Sequence, residues 1–294
     1  MTKTMIRWAA AAVLGVGLGF GGFAAVAQEE HGAEEAHAPT HFPIYKPEYV
    51  DWSFAGPFGT FDKGQLQRGY KVYKEVCASC HSMSLVKFRN LAEEGGPGFT
   101  EEQAKVLAAE YTIVDGVDDS GEPLERPREL KDPFPSPFPN DNAARASNGG
   151  ALPPDFSLIA KARAVERGFP QFVFDIFVPY QEQGPDYIHA LLTGYQDPPE
   201  GVTVPEGQYY NPYFISGMSL AMAPPLSDEV VEYTDGTPMT VDQYSKDVAA
   251  FLMWAAEPHL EARKRLGFHA MIFMAVFAGL LYLTKRKVWR DVAH

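Results

Sequence analysis

Cysteine is nearly absent: the chain has two, Cys77 and Cys80. A disulfide framework is thereby excluded, and a four-cysteine zinc site cannot form. Basic residues are also scarce. Lys and Arg number 25 against 38 Asp and Glu, for a formal net charge of −13. So acidic a chain is ill-suited to a polyanion, and no nucleic-acid partner is expected. Long apolar runs occur only near the two ends, which excludes a polytopic membrane protein. No internal repeat and no convincing alternating strand pattern is visible. What is present in ordinary measure is a globular composition, 46% hydrophobic and 21% charged over 294 residues. That composition excludes a disordered chain and a coiled coil. The 24 prolines and 26 glycines predict long stretches of loop.

The two apolar runs differ in kind. Residues 1–27 read as a cleaved signal peptide: Lys3 and Arg7 lead, an apolar stretch follows from Trp8 to about Phe23, and Ala25-Val26-Ala27 offers small-x-small cleavage. A polar tail with His31, His37 and His41 comes next, which argues against a permanent N-terminal anchor. The second run, Leu266–Leu283, is followed by Lys285, Arg286, Lys287, Trp289 and Arg290. It is just long enough to cross a bilayer core, with an interfacial aromatic and a basic cluster facing the cytoplasm. Three parts result: a signal peptide at 1–27, an exported domain at 28–257, and an anchor with a short tail at 258–294. The exported part holds 16 basic and 36 acidic residues, a net of −20. Such a domain attracts a basic soluble protein from a distance.

Within the exported part, Thr60 or Asp62 can cap a helix carrying Leu66, Tyr70, Tyr73 and Cys77 on one face. Thr100-Glu101-Glu102-Gln103 and Thr240-Val241-Asp242-Gln243 both read as capping boxes. The first opens a short helix to Tyr111. The second opens a longer one to about Ala256, with Tyr244, Val248, Phe251, Leu252 and Ala255 on one face. A further helix is expected over 185–193. Prolines 123, 127, 133, 135, 137 and 139 predict loop over 115–155, and 197–225 reads the same way. Loops this long need something to pack against.

Cys77-Ala78-Ser79-Cys80-His81 supplies it. C-x-x-C-H is the attachment signature of a c-type haem. Two thiols one helical turn apart can add to the two vinyl groups of the porphyrin. The adjacent imidazole is then placed to bind the iron as proximal ligand. A thioredoxin-type dithiol fits poorly, because an amphipathic helical segment rather than an apolar strand precedes Cys77. Histidine candidates for the sixth ligand are His189, His259 and the three tail histidines. Methionine candidates are Met83, Met218, Met222, Met239 and Met253. Met222 stands in Ala221-Met222-Ala223-Pro224-Pro225, where prolines reduce the ordering cost of a ligand loop. Met218 is its rival, and the residues alone leave the two open.

Several segments together resemble the cytochrome c1 family, the c-haem subunit of the ubiquinol–cytochrome c oxidoreductase (cytochrome bc1) complex, in its bacterial form. They are YKVYKEVCASCHSM, PFPNDNAARASNGGALPPDFSLIAKAR, LLTGYQDPP, YYNPYFISGMSLAMAPPLSDE and DVAAFLMWAAEPHLEARKRLGF. The resemblance implies a mainly α fold: a class I cytochrome c-like haem domain with long proline-rich loops and one C-terminal transmembrane helix. It implies one covalently attached haem c on Cys77 and Cys80, with His81 and Met222 as iron ligands. It further implies Arg163 at a haem propionate, Tyr187 in contact with the haem, and Asn148, Leu152, Pro153 and Pro154 along the pocket. The function implied is electron carriage, with no catalytic residue, inside the respiratory or photosynthetic complex. An electron would come from the Rieske iron–sulfur subunit and leave to a soluble or membrane-tethered cytochrome c. The cytochrome b subunit would flank the anchor in a dimeric complex. The haem domain would lie in the periplasm, anchored to the bacterial inner membrane by a single pass with its C-terminus cytoplasmic. Residues 164–184 look longer than in the mitochondrial members. The extra disulfide of some bacterial members is impossible here, since both cysteines are used.

The expected outcome is a mature chain that stains for haem on a denaturing gel. A stain-negative mature chain from a host with intact cytochrome c maturation would refute the attachment.

Overall fold

A computed structural model describes residues 42–163 and 183–291. The signal segment, the tail histidines and nearly all of the 164–184 stretch lie outside them. Helix α1 is Lys63–Glu75, and Asp62 caps it by accepting from the Gln65 N–H at 3.1 Å. Helix α2, Glu101–Ala109, opens on a complete capping box: Gln103 N–H donates to Thr100 Oγ1 at 3.2 Å, and Thr100 N–H donates to Gln103 Oε1 at 2.8 Å. Short helices α3, Asp141–Ser147, and α4, Ile159–Ala162, follow. Helix α5 is Gly184–Thr193, with Pro185 in its first turn, where a missing N–H costs nothing. Helix α6, Val241–Ala256, is capped by Thr240, whose hydroxyl accepts from the Gln243 N–H. The reciprocal half of that expected box is not made, because Gln243 Nε2 donates to Asp247 instead.

Helix α7, Leu260–Val288, carries the apolar run. Its most apolar 18-residue window has mean hydropathy 2.0, and none of that window is buried. By length and composition it can cross a membrane. The architecture is therefore mainly helical, with one long apolar C-terminal helix.

Two expectations need correction. The stretch 115–155 is not all loop. It contains most of an antiparallel hairpin, β1 Thr112–Val117 against β2 Pro123–Pro127, with Ile113 opposite Arg126 and Val114 opposite Glu125. Pro123 and Pro127 are tolerated because a two-stranded ladder leaves each strand an open edge. Helix α3 also falls inside this stretch, with the Asn140 side chain accepting from the Ala143 N–H at 3.0 Å. Likewise 197–225 contains β3, Tyr209–Tyr210, paired with β4, Ser219–Leu220. Alternation did not reveal these strands because β1 and β2 are largely exposed on both faces, and β3 and β4 are two residues each, too short for a pattern to show.

The core sits where α1 crosses α6. Trp254, Tyr244, Phe251, Phe88 and Leu66 are among its fully buried side chains. Burying each large apolar side chain stabilises by roughly 1.5–3 kcal/mol. Met83 and Met253, two of the sequence's ligand candidates, are also core residues. Met253 fills the core from α6. The crossing is close because of Gly69: a β-carbon there would stand 2.1 Å from the Asp247 carbonyl oxygen and 2.7 Å from Phe251 Cβ. Beside it, the buried Asp247 carboxylate accepts from Arg68 Nε, the Tyr233 hydroxyl and Gln243 Nε2, each at 2.9 Å. Burial works against the Arg68 charge, and Asp247 and Asp235 more than offset it, raising the guanidinium pKa. Helices α4 and α5 also pack on α6.

Gly69→Ala is expected to force α1 and α6 apart and cost about 1–3 kcal/mol. Thermal unfolding of the haem-loaded chain, read from its visible spectrum, measures this. An unchanged midpoint would show that the crossing has slack.

Candidate haem site

Val76 ends α1, and the chain tightens into a 3-10 turn over Cys77–Ser79. The backbone N–H groups of Cys80 and His81 both donate to the Cys77 carbonyl, at 3.1 and 2.9 Å. The five-residue motif is thus one compact turn on the end of a docked helix. Both thiols are free, Cys77 half-buried and Cys80 exposed. Burial pushes the Cys77 thiol up to about 12, with Cys80 adding to the rise.

His81 is 8% exposed. Its Nδ1 lies 2.9 Å from the Pro154 carbonyl oxygen. A carbonyl only accepts, so Nδ1 carries the proton and Nε2 keeps its lone pair. Burial lowers the imidazole pKa against the opposing effects of Pro154 and Asp155, favouring the neutral form. The ring also stacks on Phe156, with centroids 3.9 Å apart. A neutral imidazole, oriented through Nδ1 with Nε2 available, is the donor a haem iron requires. The residues present therefore fit the group that C-x-x-C-H implies.

The stretch 154–157 grips the chain just after the motif. Asp155 accepts from the Ser82 hydroxyl at 2.8 Å and the Ser84 N–H at 2.9 Å, while its other oxygen accepts from the Ser157 N–H at 2.8 Å. Phe156 N–H donates to the Ser82 carbonyl, and Leu85 N–H to the Ser157 hydroxyl. The Tyr73 hydroxyl reaches the His81 carbonyl at 3.3 Å. Pro154 thus acts through its backbone oxygen. Asp155, Phe156, Ser157 and Tyr73 are missing from the sequence-derived site. The D-x-S spacing of an Asx-type turn was the available signal for Asp155 and Ser157.

Asn148 caps α3, its side chain donating to the Ala144 carbonyl at 2.7 Å, while Leu152 lies exposed. Pro153 is half-buried between Leu152 and Pro154. Arg163 ends α4, and Tyr187 is buried on α5. Burial raises the Tyr187 pKa, opposed by the Ile215 N–H, which donates to its hydroxyl at 3.4 Å, and by the Arg163 charge. Met218 and Met222 are both half-buried. The Met218 carbonyl accepts from the Asn211 N–H at 2.9 Å, extending the β3–β4 ladder. The Met222 carbonyl accepts from the Tyr195 hydroxyl at 3.1 Å. Met218 is therefore held by its backbone beside the ladder, and Met222 on the loop beyond it. His189 is engaged elsewhere, 2.7 Å from the Ser245 hydroxyl. Buried Asn211 is a further residue that sequence reasoning missed. Its side-chain amide donates to the Leu191 carbonyl at 2.8 Å and its oxygen accepts from the Tyr213 N–H, tying α5 to the ladder. A cleft of about 420 Å³ opens beside the Met222 loop, lined in part by Tyr195, Tyr209, Tyr210 and Pro224.

The profile of the Cytochrome C1 family matches residues 52–292. The chain belongs to the cytochrome c1 family. Cytochrome c1 is the haem-bearing electron-transfer subunit of the bc1 complex. The chain is 51% identical to cytochrome c1 of Blastochloris viridis over 247 residues, covering 84% of this chain and 87% of that one. It is 62% identical to cytochrome b/c1 of Bradyrhizobium diazoefficiens over 247 residues, but spans only 36% of that longer protein. A mitochondrial cytochrome c1 heme protein of Arabidopsis thaliana is 45% identical over 271 residues, 91% of this chain and 77% of its own length. The family implies a haem c cofactor, which the His81 geometry suits.

Asp155→Ala is expected to remove the acceptor shared by Ser82, Ser84 and Ser157, costing about 0.5–1.5 kcal/mol because water can replace it at the exposed bonds. Asp155→Asn, which keeps an acceptor, should cost less. Thermal midpoints of the two variants decide it, and equal midpoints would show that the grip on the His81 turn contributes little.

Proposed function

We propose that this chain relays single electrons from the Rieske iron–sulfur subunit to a soluble or membrane-tethered cytochrome c. In this reading, 28–257 is an exported, periplasmic haem domain left after cleavage of 1–27, and 258–294 anchors it beside cytochrome b in a dimeric complex. Cys77 and Cys80 bind one haem covalently, His81 is the proximal ligand and Met222 the distal one. Arg163 pairs with a propionate and Tyr187 lines the pocket, with Asn148, Leu152, Pro153 and Pro154 nearby. The observation that carries the reading is the His81 imidazole: half of it is committed to Pro154, which leaves Nε2 for iron, directly after two free thiols in one turn. A relative named for both b and c1 supports a cytochrome b partner.

When bound, the haem supplies a one-electron couple, and His/Met ligation favours a positive potential. The chain's own part is positional. Pro154 and Phe156 orient His81. Tyr195 and the β3–β4 ladder hold the loop that carries Met222. The excess of carboxylates draws a basic acceptor in.

Met222→Leu preserves volume but removes the sulfur. The expected result is loss of the low-spin spectrum, carbon monoxide binding and a lower midpoint potential, with covalent haem retained. Met218→Leu should leave the spectrum nearly intact. The opposite pattern would move the ligand to Met218, and no effect in either would leave a histidine to be found.

The second-order rate of electron transfer to a basic cytochrome c is expected to fall as ionic strength rises, because screening reaches about 8 Å at physiological salt. A salt-independent rate would remove the acidic surface from the docking face.

A further inference from the structure

The segment from Trp52 to Phe61 contains Trp52, Phe54, Phe58 and Phe61. Trp52, Phe54 and Phe61 are buried, whereas Phe58 is 73% exposed. Its exposure is built in by the backbone. Gly56 has φ +70°, in the left-handed region that favours glycine. A β-carbon on Gly59 would stand 2.0 Å from the Ala55 carbonyl oxygen. The two glycines thus hold a tight turn with Pro57 and Phe58 at its tip, closed by the Thr60 N–H donating to the Ser53 carbonyl at 3.0 Å.

This turn is fastened to the start of α7. The Phe61 N–H donates to Glu261 Oε1 at 2.9 Å. Lys264 Nζ donates to the carbonyls of Phe54 and Gly59, at 2.6 and 3.2 Å. The Phe58 ring meets Phe268 edge-to-face, centroids 5.5 Å apart. Phe268 is the third residue of the apolar run that begins at Leu266. At about 1.5 Å rise per residue it lies only about 3 Å along the helix from where that run starts. The Phe58 ring is therefore level with the beginning of the apolar span. Arg263, Lys264 and Arg265 stand just before it, in a chain whose exported part is otherwise strongly acidic.

We infer that the Ala55–Gly59 turn is a second contact with the bilayer, with Phe58 seated in the interfacial layer beside the first turns of α7. This rests on reading α7 as the membrane anchor. Aromatic rings favour that layer; of the three bases, Lys264 holds the turn itself, Arg263 pairs with Glu257 and Arg265 lies 3.7 Å from Glu94. Continuity with the apolar helix selects lipid as the occupant. A polar partner surface would leave the exposed ring poorly matched, and among the described residues the ring that Phe58 meets is Phe268 of α7. Two contacts, the helix and the turn, would set the tilt of the haem domain on the membrane, where a helix alone would leave it free to swivel.

The test uses the full haem-loaded chain in phosphatidylcholine/phosphatidylglycerol nanodiscs. Haem attachment occupies Cys77 and Cys80, so Phe58→Cys, Leu280→Cys and Val114→Cys can each be labelled singly with the fluorophore NBD. Quenching by shallow and deep doxyl lipids and by aqueous iodide is then compared. The expected result at 58 is strong quenching by shallow doxyl lipid, with iodide quenching several-fold weaker than at 114 on the exposed β1 strand. Position 280 should respond to deep doxyl lipid. If 280 responds and 58 is as open to iodide as 114, the turn is in water and the inference fails, while the anchor stands. A label at 58 shielded from both quenchers means a protein surface covers the turn, which also overturns it. If 280 itself escapes deep doxyl lipid, the anchor reading fails first.

Discussion

The close crossing of α1 and α6 is the constraint on which the rest depends. Gly69 lets the α1 backbone approach the Asp247 carbonyl more closely than any β-carbon would allow. Asp247 itself is buried at the crossing and satisfied by Arg68, Tyr233 and Gln243. A buried carboxylate with its partners in place is tolerable, and the same carboxylate with one removed is costly. The crossing is therefore specific as well as tight. Since the C-x-x-C-H turn follows α1 directly, the position of α1 fixes where Cys77, Cys80 and His81 stand.

The surroundings of His81 and of Met222 are built by different means. Around His81 the support is a four-residue stretch, 154–157, in which one carboxylate collects donors and one carbonyl orients the ring. Around Met222 the support is longer-range. Asn211 ties the β3–β4 ladder to α5, and Tyr195 holds the Met222 carbonyl. Helices α4 and α5 both pack on α6, and the buried Asp186 of α5 accepts from the Trp52 indole N–H at 2.7 Å. One central helix thus underlies both surroundings.

At the other end, Glu257 joins the haem domain to α7 through ion pairs with Lys161 and Arg263. Burial works to raise its pKa, and the two cations outweigh that and hold it below the usual carboxylate range. Lys161 lies on α4, two residues before Arg163. Arg163 and the ion pair to Glu257 therefore sit on one short helix.

The chemistry-bearing pattern of this protein was legible in its residues. C-x-x-C-H needs no tertiary information, because the spacing of thiols and imidazole is set within one turn. Helices α1, α2, α5 and α6 were legible for the same reason: caps and 3.6-residue periodicity are local. So was α7, whose apolar length is a linear property. The strand pairs were not, since β1 and β2 are largely exposed on both faces and β3 and β4 are too short for alternation to show. Nor were Asp155, Phe156, Asn211 and Tyr195 as supports, because each acts on a residue distant along the chain. Choosing between Met218 and Met222 from residues alone was open as well, as both stand among turn-formers four positions apart. Only the tertiary structure decided that one is held beside the ladder and the other on the loop beyond it. Local interactions are written in consecutive residues. The contacts that orient His81 through Pro154 and brace Met222 through Tyr195 arise when segments 73 and 27 residues apart meet, and they exist only once the core has closed.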